Sequence, residues 1–326
     1  MRYRSPTARS PCSMCIGQYK YPQWCILRHM KKLFLLLLIA LLGASSALAD
    51  EKRQITVNGV KRTYYLHVPA GLSSGAPLVI MLHGAGADGN VALRDFGWVD
   101  LADESQFVVA APNASTIYAD RAPGQKNLRV WNSGPAGYYP ENIARSDDTA
   151  FIVAMIDDVA RTAGIDLRRV YVAGFSNGGY MANRLGQEIA GRLAAISTSA
   201  SDLTSLSKPP SRGISVLFSA GDRDPLTPVE RQKVMTIWGG ASFIKESQRA
   251  LVDRWRTLDA CPAARTIPSP ANTIIEVSGP CRDGSEVRYI LMQGVAHAWP
   301  LSRPIDLTRT SWDFFKRFSL PAKVAD

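Results

Sequence analysis

Polar and apolar residues alternate from Gln54 to Pro69 about Asn58-Gly59, with Ile55 and Val57 before the turn and Tyr64, Leu66 and Val68 after it. Period-two alternation around an Asn-Gly pair predicts an antiparallel hairpin. The pattern then changes. Pro77 to Leu82 is a continuous apolar run, the mark of a strand buried on both faces, and Phe107 to Ala111 is a second one stopped by Pro112. Between them, Asn90 to Glu104 predicts one helix, with Val91, Leu93, Phe96, Val99 and Leu101 as its apolar positions. Phe151, Met155 and Val159 recur every four residues with Ile152, Ile156 and Ala160 beside them, predicting a helix opened by Ser146-Asp147-Asp148 and ended by Gly164. The aspartates read as an N-cap and a first-turn carboxylate suited to the helix dipole.

Further strands are predicted around Val170, at Leu193 to Ile196, at Ile214 to Phe218, and as a pair at Thr273 to Val277 and Val287 to Met292. Helices are predicted at Ser247 to Leu258 and Thr310 to Phe318. Strands alternating with helices predict an α/β fold, a mostly parallel sheet covered on both faces. Asn113 to Arg145 lacks periodicity and carries Tyr118, Trp131, Tyr138 and Tyr139, which suggests an ordered loop over a functional site.

The first fifty residues change the charge picture. Lys31-Lys32, the apolar run Leu33 to Leu42 and Ala47-Leu48-Ala49 follow the order of a secretory signal, predicting cleavage after Ala49. Residues 1–29 then read as an over-extended start with Met30 as initiator, and residues 50–326 as a single catalytic domain. Seven of the chain's 38 Lys and Arg precede Asp50, and none of its 28 acidic residues does, so the net charge of +10 falls to +3. That balance argues against a nucleic-acid partner. Cys261 and Cys281 are the cysteines left after cleavage, and in an exported domain two cysteines predict a disulfide. No ligand cluster suggests a metal or cofactor, and no stable membrane span is expected once the signal is gone.

The chemistry concentrates in Gly174-Phe175-Ser176-Asn177-Gly178, a G-x-S-x-G sequence between an apolar strand and a helix. A serine on that turn stands clear of the backbone and faces a helix N-terminus, as a nucleophile requires. An acyl-transfer serine also needs a base and a carboxylate that fixes the base's tautomer, in the chain order Ser, acid, His. Of the histidines after residue 49, His67, His83 and His297, only His297 follows Ser176. For the acid, Asp222 and Asp224 both lie just past the strand ending at Phe218, and the turn-fixing Pro225 favours Asp224. The oxyanion needs two N–H donors: Asn177 directly after the serine, and Ala85 or else Gly86 in His83-Gly84-Ala85-Gly86. His83 itself reads as a residue that holds this turn.

Arg62-Thr63-Tyr64, Leu82-His83-Gly84, Asp147-Asp148, Arg169-Val170-Tyr171, Gly174 to Gly179, Gly221 to Pro225 and Gly294 to Pro300 together resemble the secreted polyhydroxybutyrate depolymerases and related feruloyl or acetylxylan esterases. The resemblance covers about residues 54 to 318. It implies an α/β-hydrolase fold with Ser176, Asp224 and His297 as the triad, and it selects Asp224 over Asp222. It also implies that Trp299 lines the acyl pocket and that Cys261 and Cys281 form the disulfide near the histidine. Trp131 and Tyr138 are further candidates for substrate contact. The chain departs from the pattern at Phe175, where Leu is common, at Ala220-Gly221, where His-Gly is usual, and at Asp222, often Thr. It ends without the separate polymer-binding module of the polymer-degrading members. The expected function is an exported serine esterase for short hydroxyalkanoate esters or oligomers, with feruloyl or acetylxylan esters as the alternative. A peptidase would need a gating domain that the sequence does not show, and a non-catalytic binding protein would normally lack a triad residue.

Overall fold

The computed structural model describes residues 50–117, 128–134, 141–201, 209–235 and 242–322. All of them belong to one compact unit, Ala47–Asp326. The signal segment and Tyr138 lie outside the described residues.

The core is a ten-stranded sheet in the order β1-β2-β4-β3-β7-β8-β9-β14-β13-β12. Its strands are β1 (Glu51–Val57), β2 (Val60–His67), β3 (Leu78–Leu82), β4 (Val108–Pro112), β7 (Val170–Phe175), β8 (Ala195–Ser199), β9 (Ser215–Gly221), β12 (Arg265–Ile267), β13 (Thr273–Ser278) and β14 (Val287–Met292). The block from β4 to β14 is parallel throughout. The flanking strands β1, β2, β13 and β12 are antiparallel, starting with the Asn58-Gly59 hairpin in which Val57 faces Val60.

The two faces of the sheet bury two separate cores, divided by strand alternation. Leu78, Ile80 and Leu82 of β3, with Val170 and Val172 of β7, face one cluster. It is filled by Phe151, Met155 and Val159 of α4 (Asp148–Ala163), Leu185 of α5 (Asn177–Glu188) and Trp255 of α6 (Gln248–Leu258). Val79, Met81, Tyr171 and Ala173 face the other. There they meet Leu93 of α1 (Gly89–Asp95), Trp98 of α2 (Trp98–Ser105) and Phe314 and Phe315 of α7 (Leu307–Phe315). Every residue of β3, β4 and β9 is buried.

Two predicted elements differ. The single helix expected over Asn90 to Glu104 is two, because Gly97 turns left-handed (φ 69°) between them, and Trp98 then enters the core with no exposed surface. Within the long loop, β5 (Ser115–Thr116) pairs with β6 (Arg129–Val130), and α3 (Glu141–Ala144) follows. Asp147 caps α4 by accepting from the Ala150 N–H, as expected. Asp148 is the first-turn carboxylate, as expected, and is in addition fully buried and paired with Arg62 (Nη2 to Oδ1, 2.7 Å), whose guanidinium lies over the Phe151 ring.

Cys261 and Cys281 form a disulfide that ties the segment after α6 to the connection between β13 and β14. Among the described residues, no helix is long and apolar enough to cross a membrane.

Candidate active site

Parallel strands end on one edge, and the loops leaving that edge carry the candidate residues. Ser176 follows β7, Asp224 follows β9, His297 follows β14 and Ala85 follows β3. Ser176 sits at φ 52°, ψ −124°, a conformation that costs a non-glycine residue about 1–3 kcal/mol. Its surroundings hold it there. The Ser176 N–H donates to Ser199 O (2.9 Å), and the turn closes so tightly that a Cβ on Gly178 would lie 2.2 Å from Leu82 O. A Cβ on Gly174 would lie 2.3 Å from Gly178 O. Both positions therefore admit only glycine.

His297 bridges the other two groups. Its Nε2 is 2.9 Å from Ser176 Oγ and its Nδ1 is 2.8 Å from Asp224 Oδ2. The Asp224 side chain has no exposed surface. Burial opposes its ionisation, but hydrogen bonds from His297 and Thr227 outweigh that and hold its carboxyl below the usual range. Leu226 N–H (2.8 Å) and Thr227 N–H (2.9 Å) donate to Oδ1, and the Thr227 hydroxyl donates to Oδ2. An ionised carboxylate only accepts, so Nδ1 carries the imidazole proton and Nε2 presents its lone pair to the serine. The arrangement can take a proton from Ser176 and return it to a leaving group.

Asp222, the other acid considered, is exposed and does different work. Its Oδ1 accepts from Gly294 N–H (2.7 Å), and the Asp222 and Arg223 N–H groups donate to Met292 O (3.1 Å) and Val295 O (3.0 Å). These bonds zip the acid loop to the histidine loop. The Phe175 ring packs beside the imidazole (centroids 5.0 Å apart).

On the oxyanion side, Asn177 is the first residue of α5, whose leading N–H groups have no partner within the helix. The turn after β3 approaches the serine closely, since a Cβ on Gly84 would lie 3.4 Å from Ser176 Cβ. The Gly86 N–H donates to Arg129 O (2.9 Å), which removes it as a donor, whereas no hydrogen bond among the described residues uses the Ala85 N–H. His83 is fully buried, its Nδ1 bonded to Gly84 O (2.8 Å) and its Nε2 accepting from Ala114 N–H (3.1 Å). Burial pushes its pKa down to about 4, so it is a neutral structural residue.

The two tryptophans expected to touch substrate are both buried. Trp131 has no exposed surface, because its indole N–H is turned inward to His83 O (3.0 Å). Trp299 is 6% exposed; it packs against Phe96 and Trp98 and donates to Thr308 Oγ1 (2.8 Å). It supports the loop carrying His297 from within the core.

Sequence reasoning did not single out Thr227, Asn132 or the Arg62–Asp148 pair. The spacing of Asp224 to Thr227 matches a local side-chain turn and was a usable signal for the first. Nothing local signals the others, whose partners lie 86 and 16 residues away. Asn132 N–H donates to Asp148 Oδ2 (2.7 Å), so the pair anchors the loop segment beside the site.

A mostly parallel sheet with helices on both faces, whose strained serine elbow faces a histidine and an aspartate, is an α/β-hydrolase fold. The chain belongs to the phospholipase/carboxylesterase family, whose model matches residues 65–238. It is 23% identical to a bifunctional acetylxylan esterase/xylanase of Neocallimastix patriciarum over 85% of its own length and 36% of that protein's. It is 30% identical to feruloyl esterase B of Piromyces equi over 67% of its length. The chain spans about two fifths or less of both proteins. Among solved structures, an acetyl xylan esterase from Aspergillus awamori superposes with a TM-score of 0.57 at 15% identity, covering 82% of this chain and 99% of that one.

Proposed function

We propose that this chain is an exported carboxylesterase in which Ser176 is the nucleophile, His297 the general base and Asp224 the group that orients it. The hydrogen-bonded series Ser176–His297–Asp224 carries the reading. As Ser176 Oγ bonds to the ester carbonyl carbon, its proton passes to His297 Nε2, and the carbonyl electrons move to an oxyanion met by the Asn177 and Ala85 N–H groups. Collapse of that intermediate expels the alcohol, which takes the proton from Nε2. Water, deprotonated by the same nitrogen, then attacks the acyl-enzyme and releases the acid. Residues 50–326 form the catalytic domain, and no step calls for a metal or cofactor.

Of the substrates expected, esters of plant-wall polysaccharide, acetyl or feruloyl, have the broader support, because the relatives bearing those names align with most of the chain. Short hydroxyalkanoate esters remain the other class implied by the motifs. Export is supported by the disulfide, which fits an oxidising compartment, together with the signal-like segment ahead of Asp50.

The test is protein beginning at Asp50, intact and as Ser176→Ala, assayed on p-nitrophenyl acetate, methyl ferulate and a hydroxybutyrate oligomer. Hydrolysis that disappears with Ser176 is expected, with an acetyl or feruloyl preference. Preference for the oligomer returns the enzyme to the polyester class, and hydrolysis that survives Ser176→Ala overturns the mechanism.

A further inference from the structure

Resting on the nucleophile reading above, we infer that Trp131 is a positioning residue that sets the spacing between the two oxyanion donors. These donors come from separate parts of the fold. Asn177 opens the helix after β7, and Ala85 lies in the turn after β3. Alignment of two N–H groups on one developing charge requires something to fix one element against the other, and the segment at the end of β6 touches both.

On the elbow side, the Trp131 N–H donates to Asn177 Oδ1 (2.7 Å) and the Asn177 side-chain amide donates back to Trp131 O (3.3 Å). This reciprocal pair clamps the side chain of the very residue whose backbone N–H faces the oxyanion. On the turn side, the Trp131 indole N–H donates to His83 O (3.0 Å), and two residues earlier Arg129 O accepts from the Gly86 N–H (2.9 Å). These two bonds bracket Ala85 in sequence. The Ala85 side chain also packs against Ile117, Val130 and Ile143, so the turn is held from its flank as well. The Trp131 ring lies 5.1 Å from the His83 ring, itself locked by bonds to Gly84 O and Ala114 N–H.

The clamp has its own anchor. Asn132 N–H donates to Asp148 Oδ2 (2.7 Å), and the buried carboxylate is fixed by Arg62. Trp131 is fully buried, so it acts through Asn177 and His83. Fixed donors matter because catalysis rewards dipoles already aimed at the charge that develops, and a displacement of about 1 Å can cost on the order of 100-fold in rate.

The experiment compares Trp131→Phe, which keeps a ring but loses the indole N–H, with Asn177→Ala, which keeps the backbone N–H but loses the reciprocal pair. Both are assayed on p-nitrophenyl acetate and titrated with a phenylboronic acid that adds to the serine as an oxyanion mimic. For each variant kcat should fall about 10- to 100-fold with KM within twofold, and the boronate should weaken by a similar factor. The double variant should be little worse than either single one, since both break the same link. A variant that unfolds at lower denaturant while kcat and boronate affinity stay within twofold of wild type reduces Trp131 to a packing residue and overturns the inference. Should Trp131→Phe not fold, Asn177→Ala decides by the same criteria. Ser176→Ala separates the two readings. Hydrolysis surviving that change defeats the nucleophile assignment, whereas an inert Ser176→Ala beside wild-type kcat in both clamp variants defeats the clamp alone.

Discussion

Asp224→Asn discriminates sharply, because its geometry leaves the new amide one orientation. Oδ1 receives two backbone N–H groups, from Leu226 at 2.8 Å and Thr227 at 2.9 Å, and an NH2 group there would face two donors. The amide oxygen must take that side, so the NH2 group points at His297 Nδ1. The imidazole then accepts at Nδ1 and carries its proton on Nε2, where it can no longer receive the Ser176 proton. In a serine hydrolase the same inversion of tautomer costs about 10⁴ in kcat, or about 5 kcal/mol of transition-state stabilisation. The assay is steady-state hydrolysis of p-nitrophenyl acetate at pH 7.5, with the folded state checked by circular dichroism. Asp222→Asn serves as comparison: its carboxylate is exposed and accepts one bond from Gly294 N–H, so kcat should stay within about fivefold. If Asp224→Asn keeps more than a tenth of wild-type kcat, or if Asp222→Asn is the more damaging change, the assignment of the acid is wrong.

Other consequences concern stability. Arg62→Met leaves Asp148 buried without its cation and should cost about 3–5 kcal/mol in urea unfolding, although no candidate catalytic atom is touched. Cys261→Ser with Cys281→Ser opens a loop of sequence separation 20 and should lower stability by about 2–4 kcal/mol while hydrolysis at 25 °C persists. His83 is held neutral, its pKa pushed down to about 4, whereas the unfolded chain protonates near pH 6.5. The unfolded state therefore binds the extra proton, so stability is full above about pH 6.5 and declines by about 2–3 kcal/mol as pH falls toward 4.5. His83→Gln should flatten that limb, and an unchanged slope would exclude His83 as its source. Asp224 acts in the same direction at lower pH: its depressed carboxyl stabilises the fold above about pH 3.9, a contribution lost as pH falls further through its folded value.

Periodicity carried much of the architecture. The apolar run Leu78 to Leu82 required a strand covered on both faces, and the four-residue recurrence of Phe151, Met155 and Val159 required a helix lying on it. The break at Gly97 escaped because Phe96, Val99 and Leu101 continue the apolar spacing across it. A left-handed glycine costs the pattern nothing but turns the chain. The burial of Trp131 and Trp299 is likewise not legible in the sequence. An aromatic residue in an irregular loop reads as exposed, and whether its indole N–H finds a partner inside depends on elements far away in the chain, here His83 and Thr308.

What the sequence determined by itself was local chemistry: a serine between strand and helix, one histidine downstream, and glycines at positions where the turn admits nothing larger. Those follow from residue type and short-range spacing, because the backbone conformations involved span only a few residues. Tertiary structure decided which carboxylate meets the imidazole, since Asp222 and Asp224 are two residues apart and differ only in which way the loop faces after β9. It also decided that Asp148 would be a buried partner of Arg62 and that Trp131 would bond to both Asn177 and His83. Those roles depend on hydrogen bonds between residues tens of positions apart, and only the assembled fold brings such groups within 3 Å or so of one another.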